Sequence, residues 1–104
     1  MTTIRIWRNQ QGQIIRIRSS GHSGYAQAGT DIVCAAVSIL MTTCANALET
    51  VAGFEPAVTV DEERALLDLQ VSHPENSIVQ TVIQTVLQGL RDISQTYPKY
   101  VQIK

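Results

Sequence analysis

The chain is predicted to be an α+β domain: a mixed sheet of about five strands in the order ββαββαβ, with two helices packed on one face. Three observations predict it. Short segments alternate apolar and polar residues with period two, and they come in pairs across polar turns. Two longer stretches carry apolar residues at helical spacing instead. The 104 residues, 44% apolar and 16% charged, are enough for one hydrophobic core. A single domain over 1–104 is therefore expected.

Residues 3–8 run Thr, Ile, Arg, Ile, Trp, Arg, and the alternation resumes with Ile15, Arg16, Ile17 and Arg18 after Asn9-Gln10-Gln11-Gly12. Strands at about 2–8 and 13–19 around that turn form a hairpin. Ser19 to Thr30 is then a loop of roughly a dozen residues, a length usually functional in a small domain. It holds Gly21, Gly24 and Gly29, and a flap is the natural expectation.

From Asp31 the chain reads DIVCAAVSILMTTCANALETVAG. Alanine, leucine and methionine favour helix, Asp31 is a good N-cap and Gly53 a good stop. Val37, Leu40, Met41, Cys44, Ala47, Leu48 and Val51 are expected on its core face. Residues 57–62 and 65–71 read as a second hairpin around Glu62-Glu63-Arg64. The segment 76–96 has helical spacing at Val79, Val82, Ile83, Val86, Leu87, Leu90 and Ile93. Tyr97-Pro98 ends that helix, and Tyr100 to Ile103 make a last short strand.

A net charge of −1 argues against a general electrostatic grip on nucleic acid. Arg5, Arg8, Arg16 and Arg18 concentrate basic charge near the start, which reads as a solvated strand face. MTTIRIWRN has no apolar core of a signal peptide, and no run of about eighteen apolar residues suggests a membrane span. Two cysteines without a secretion signal fit a reducing cytoplasm. On one helix, Cys34 and Cys44 would lie about 15 Å apart, too far for a disulfide.

The chemistry concentrates in GHSGYAQAGTDIVCAAVS, Gly21 to Ser38. Cys34 falls in the first turn of the helix, where free N–H groups and the dipole favour a thiolate. His22, in the glycine-rich loop, can return to the helix start and serve as base. Asp31 has two readings, a helix cap or a group that orients His22. Ser38, one turn beyond Cys34, can bond the sulfur or bond back to the helix. Cys44, in mid-helix, reads as inert packing. A metal site from His22, Cys34, Cys44 and His73 lacks the usual ligand spacing, so none is expected. A redox role lacks a resolving cysteine.

These residues resemble the signature of the ribosomal-processing cysteine protease family, Prp. The resemblance covers Gly21-His22, Gly24-Tyr25-Ala26 and Gly29 through Ser38. Length, the strand–strand start and the ending near Tyr97-Pro98-Tyr100 extend it over nearly the whole chain. It implies Cys34 as nucleophile and His22 as general base and acid, with Asp31 and Ser38 supporting them. Gly21, Gly24, Tyr25 and Gly29 would form the flap that binds substrate, and no cofactor is implied.

The implied oxyanion donors are the Cys34 N–H and neighbouring loop N–H groups. The implied reaction removes an N-terminal extension from bacterial large-subunit ribosomal protein twenty-seven. Partners would be that precursor's N-terminal segment and a second copy in a homodimer, with no membrane or direct nucleic acid. Ser23 stands where many relatives carry alanine. The alternative is a non-catalytic ribosome-associated binding or dimerisation module.

Overall fold

Seven elements follow one another in the predicted order in a computed structural model that describes residues 1–27 and 30–104. The first alternation becomes β1 (Thr2–Arg8) and the second β2 (Ile14–Ser20). Then come α1 (Ile32–Thr50), β3 (Ala57–Asp61), β4 (Leu66–Gln70), α2 (Ser77–Thr96) and β5 (Val101–Ile103). The sheet order is β3-β4-β2-β1-β5. Only the β1–β5 pairing is parallel, so the sheet is mixed as expected.

Strand pleating sorts the residues onto two faces. Register places Ile6 opposite Ile17 and Ile17 opposite Leu69. This face meets the helices in one core with Val37, Met41, Leu48, Ile83 and Leu87. The other face is uncovered by helices and carries Arg5 opposite Arg18, Trp7 opposite Arg16, and Arg18 opposite Asp68. Asp68 takes both guanidiniums, from Arg16 Nε at 2.9 Å and Arg18 Nε at 2.8 Å. Arg16 also lies 4.4 Å above the Trp7 ring. The N-terminal arginines are thus largely a self-satisfied strand face.

A register shift between Trp7 and Arg8 brings Ile14 into the core. There the Gln80 side chain of α2 bonds both backbone groups of Ile14, accepting its N–H at 3.0 Å and donating to its carbonyl at 2.9 Å. A helix amide thus satisfies backbone that the shifted ladder leaves over.

One expectation needs correction. Val51 is 66% exposed, because α1 ends at Thr50 and the chain turns out through Val51. Val33 takes a core position in its place, at the other end of the helix. α1 is the one helix among the described residues long and apolar enough on average to cross a membrane, although Ser38, Thr42, Thr43 and Asn46 interrupt any continuous apolar run as the sequence reading states. Val33, Val37, Met41, Cys44 and Leu48 bury one face of it in the core.

Candidate active site

Asp31 caps α1 as the sequence suggests. Its Oδ1 accepts the backbone N–H of Val33 at 3.0 Å and of Cys34 at 2.9 Å. Its Oδ2 faces back into the preceding loop and accepts the Ser23 hydroxyl, and the Ala26 N–H at 3.3 Å. Burial pushes the carboxyl up, but the Ser23 hydroxyl and the N–H groups of Cys34, Ala26 and Val33 outweigh it and bring it down to about 2. Of the two readings of Asp31, the structure shows the cap. Among the described residues, no hydrogen bond joins it to His22.

The loop leaves β2 through Gly21. Its φ of +88° is left-handed, and a Cβ there would lie 2.6 Å from the carbonyl oxygen of Met1. Gly21 N–H donates to the Arg64 carbonyl at 3.0 Å, and its own carbonyl accepts the Thr2 hydroxyl at 2.9 Å. Gly21 is therefore a tight joint between β1 and the β3–β4 turn. Gly24, with φ +77°, has open space around it.

Between them His22 is exposed, and its Nε2 lies 3.4 Å from the Glu63 carbonyl oxygen. A carbonyl can only accept, so this contact is made with the proton on Nε2, which leaves Nδ1 able to take one.

The Cys34 sulfur accepts the backbone N–H of Ser23 at 3.3 Å. Cys34 and His22 line one cleft of about 660 Å³ between α1, the loop and the β3–β4 hairpin. Gly24, Ala26, Asp31 and Ser38 line it too, facing Val60, Glu62, Leu66 and Leu67 across the hairpin. Imidazole and thiol share this space without a direct hydrogen bond among the described residues. Ser38 sits in the cleft one turn beyond Cys34, and its hydroxyl bonds neither the sulfur nor the helix among the described residues.

Tyr25 lies outside the cleft lining. Its ring meets Tyr97 and Tyr100 edge-on, with centroids 5.6 and 5.3 Å apart, and so ties the loop to the segment before β5. Gly29 lies outside the described residues. The Cys34 N–H, expected as an oxyanion donor, already donates to Asp31 Oδ1, because the helix cap claims it.

Cys44 is fully buried, and burial pushes its thiol up to about 11. His73 lies apart from the cleft, against Phe54 and with Nδ1 3.1 Å from Glu75 Oε1. Among the described residues no three His, Cys, Asp or Glu side chains gather as metal ligands.

The sequence places the β3–β4 turn at Glu62-Glu63-Arg64 but gives no sign that it meets His22, and it gives Ser23 no role in the site. Burial of a loop serine beside the thiol depends on the fold, and a backbone carbonyl leaves no mark in composition.

The family model of cysteine protease Prp matches residues 1–102. The chain belongs to the Prp family. Among its relatives, the ribosomal processing cysteine protease Prp of Staphylococcus aureus is 25% identical over 103 residues, covering 99% of this chain and 97% of the relative. The Mycoplasma pneumoniae Prp is 28% identical over 91 residues, covering 86% and 85%.

In three dimensions the chain matches S. aureus Prp, crystallised with a covalently linked product peptide, at a TM-score of 0.94 and 25% identity, covering 100% and 98%. A Streptococcus mutans protein matches at 0.89 and 28% identity, covering 100% and 92%. The fold is thus that of Prp, and the chain is a cysteine protease of ribosomal processing.

Proposed function

We propose that this Prp-family protease cuts the N-terminal extension from the precursor of large-subunit ribosomal protein twenty-seven, with Cys34 as nucleophile and His22 as base and acid. The observation that carries the reading is the meeting of these two side chains in one cleft, with the sulfur at a helix N-terminus. His22, its Nε2–H on the Glu63 carbonyl, takes the thiol proton on Nδ1 as the imidazole swings toward Cys34. The thiolate attacks the scissile carbonyl, His22 returns the proton to the leaving amine, and water releases the acyl-enzyme. Each oxyanion donor in such a site is worth roughly 3–4 kcal/mol. With the Cys34 N–H held by Asp31, those donors come from the loop or from a cap that lets go as the substrate binds.

The loop from Gly21 acts as a flap over an extended peptide. Its His22, Gly24 and Ala26 on the cleft wall support this, and Tyr25 anchors it from outside. The apolar wall of Val60, Leu66 and Leu67 suits apolar side chains of the peptide. The S. aureus relative's covalently linked product peptide supports a peptide substrate and a covalent step.

We place the reaction in the cytoplasm, where Cys34 and Cys44 stay reduced. A homodimer is proposed through the exposed stripe of Ile32 and Ile39 on α1.

The test is mass spectrometry of the precursor after incubation with wild type or Cys34→Ala. A single N-terminal cut by wild type alone is the expected result. A cut that survives Cys34→Ala, or no cut of a precursor that carries an extension, would refute the assignment.

A further inference from the structure

We propose that Ser23 is a positioning residue for the thiolate: its hydroxyl, held by Asp31, fixes its own backbone N–H on the Cys34 sulfur. The proposal rests on the reading of Cys34 as nucleophile. Ser23 is only 2% exposed although its neighbours His22 and Gly24 are exposed, so the loop dips inward at this one residue. Its Oγ donates to Asp31 Oδ2 and accepts the Tyr25 N–H at 3.2 Å. Its N–H donates to Cys34 Sγ at 3.3 Å.

One carboxylate thereby fixes both ends of the N–H···S contact. Asp31 Oδ1 holds the backbone of Cys34, and Asp31 Oδ2 holds the side chain of Ser23. Such fixation matters at this site. Ser23 lies between the left-handed Gly21 and Gly24, where a chain without the hydroxyl tether has freedom to turn the amide away.

An N–H aimed at sulfur favours the anion over the neutral thiol, because hydrogen bonds to a charged acceptor are the stronger ones. The charged and titratable groups facing Cys34 in the cleft are His22 from the loop, Asp31 from the cap, and Asp61 and Glu62 from the hairpin. Asp61 has Arg64 at 3.6 Å, and Asp31 is met by four donors. Asp31, held ionised by those donors, acts on the sulfur through the Ser23 amide, and its own charge and that of Glu62 are the opposing background against which the amide favours the thiolate.

The test is the pH dependence of Cys34 alkylation by iodoacetamide in the full chain, read by mass spectrometry, which needs no peptide substrate. Ser23→Ala is expected to move the midpoint upward and to slow alkylation below it by about 3–10-fold. With a cleavable peptide, kcat should fall while KM holds. In wild type, the backbone amide proton of Ser23 should titrate by NMR with the midpoint of Cys34.

An unchanged alkylation midpoint in Ser23→Ala, even with a lower melting temperature, would reduce the hydroxyl to a structural role and overturn the proposal. A flat Ser23 amide through the Cys34 titration would overturn it as well, whether or not the variant folds. Cleavage that survives Cys34→Ala would instead strike the nucleophile assignment and leave the amide–thiol contact to be judged by the titration.

Discussion

Asp31 accepts the backbone N–H of Cys34 at 2.9 Å, so the residue that starts α1 also holds the main chain of the cysteine assigned as nucleophile. Site and helix share one carboxylate, and its protonation should be felt by both.

Acid stability follows from that carboxylate. Its folded value of about 2 lies below the roughly 3.9 of an unfolded aspartate. A depressed value contributes stability that is fully present above pH ~4 and is lost as pH falls through about 2. The contribution at neutral pH is on the order of 2 kcal/mol. Asp31→Asn keeps an acceptor for the Val33 and Cys34 N–H groups but cannot titrate in this range. Urea midpoints from pH 5 down to pH 2 should fall more steeply for wild type than for Asp31→Asn. Parallel curves would mean that the cap is not the acid-sensitive group.

Gly21→Ala should be far more damaging than Gly24→Ala. Both positions are left-handed, but only at Gly21 does a Cβ run into backbone, 2.6 Å from the Met1 carbonyl oxygen. The conformational cost and the clash together come to roughly 2–4 kcal/mol at Gly21. At Gly24, with open space, only the conformational cost of about 1–2 kcal/mol remains. Thermal melting of the two variants checks this, and equal losses would contradict the close approach.

The elements were legible because each carries its own local signal. Alternation marks β1 and β2, Asp31 caps α1, and helical spacing marks α2 up to its close at Tyr97-Pro98, whereas the Asn76 cap of α2 emerges only in the structure. Cys34 and His22 were legible as types, a thiol at a helix start and an imidazole among glycines. What stayed hidden depends on distant chain.

The Glu63 carbonyl that meets His22 comes from forty-one residues away and has no side-chain signature. Gly89, in the interior of α2, looks like a weakness in a helix. A Cβ there would lie 2.9 Å from Leu40 Cδ2, so it marks a close approach of α1 to α2. Ser23 carries no sequence signal of its own, because its contact with Asp31 needs the loop to fold back onto the helix cap.

Removing Asp68 should destabilise the uncovered face of the sheet. Its buried carboxylate sits between Arg16 and Arg18, whose side chains are about one-third exposed at 31% and 35%. The Arg16 guanidinium first, then Arg18, holds the carboxyl below its usual range against the opposing effect of burial. Asp68→Ala leaves two like charges two residues apart on β2. A loss of about 1–2 kcal/mol in urea unfolding is expected, shrinking as salt screens the arginines. A loss that does not respond to salt would point to packing instead.

The two thiols should differ sharply toward a small alkylating agent at neutral pH. Cys34 is partly exposed in the cleft with an N–H on its sulfur, whereas Cys44 is fully buried with its thiol pushed up to about 11. Only the thiolate reacts, and at pH 7 a thiol with that value is ionised about once in ten thousand, before its burial is counted. Peptide mapping after brief exposure to iodoacetamide should therefore find the label on Cys34 alone, with Cys44 modified only after unfolding in urea. Peptide-cleaving activity should fall in step with the Cys34 label. Activity that persists after Cys34 is fully labelled would remove that thiol from the reaction, since a carbamidomethylated sulfur cannot attack a carbonyl.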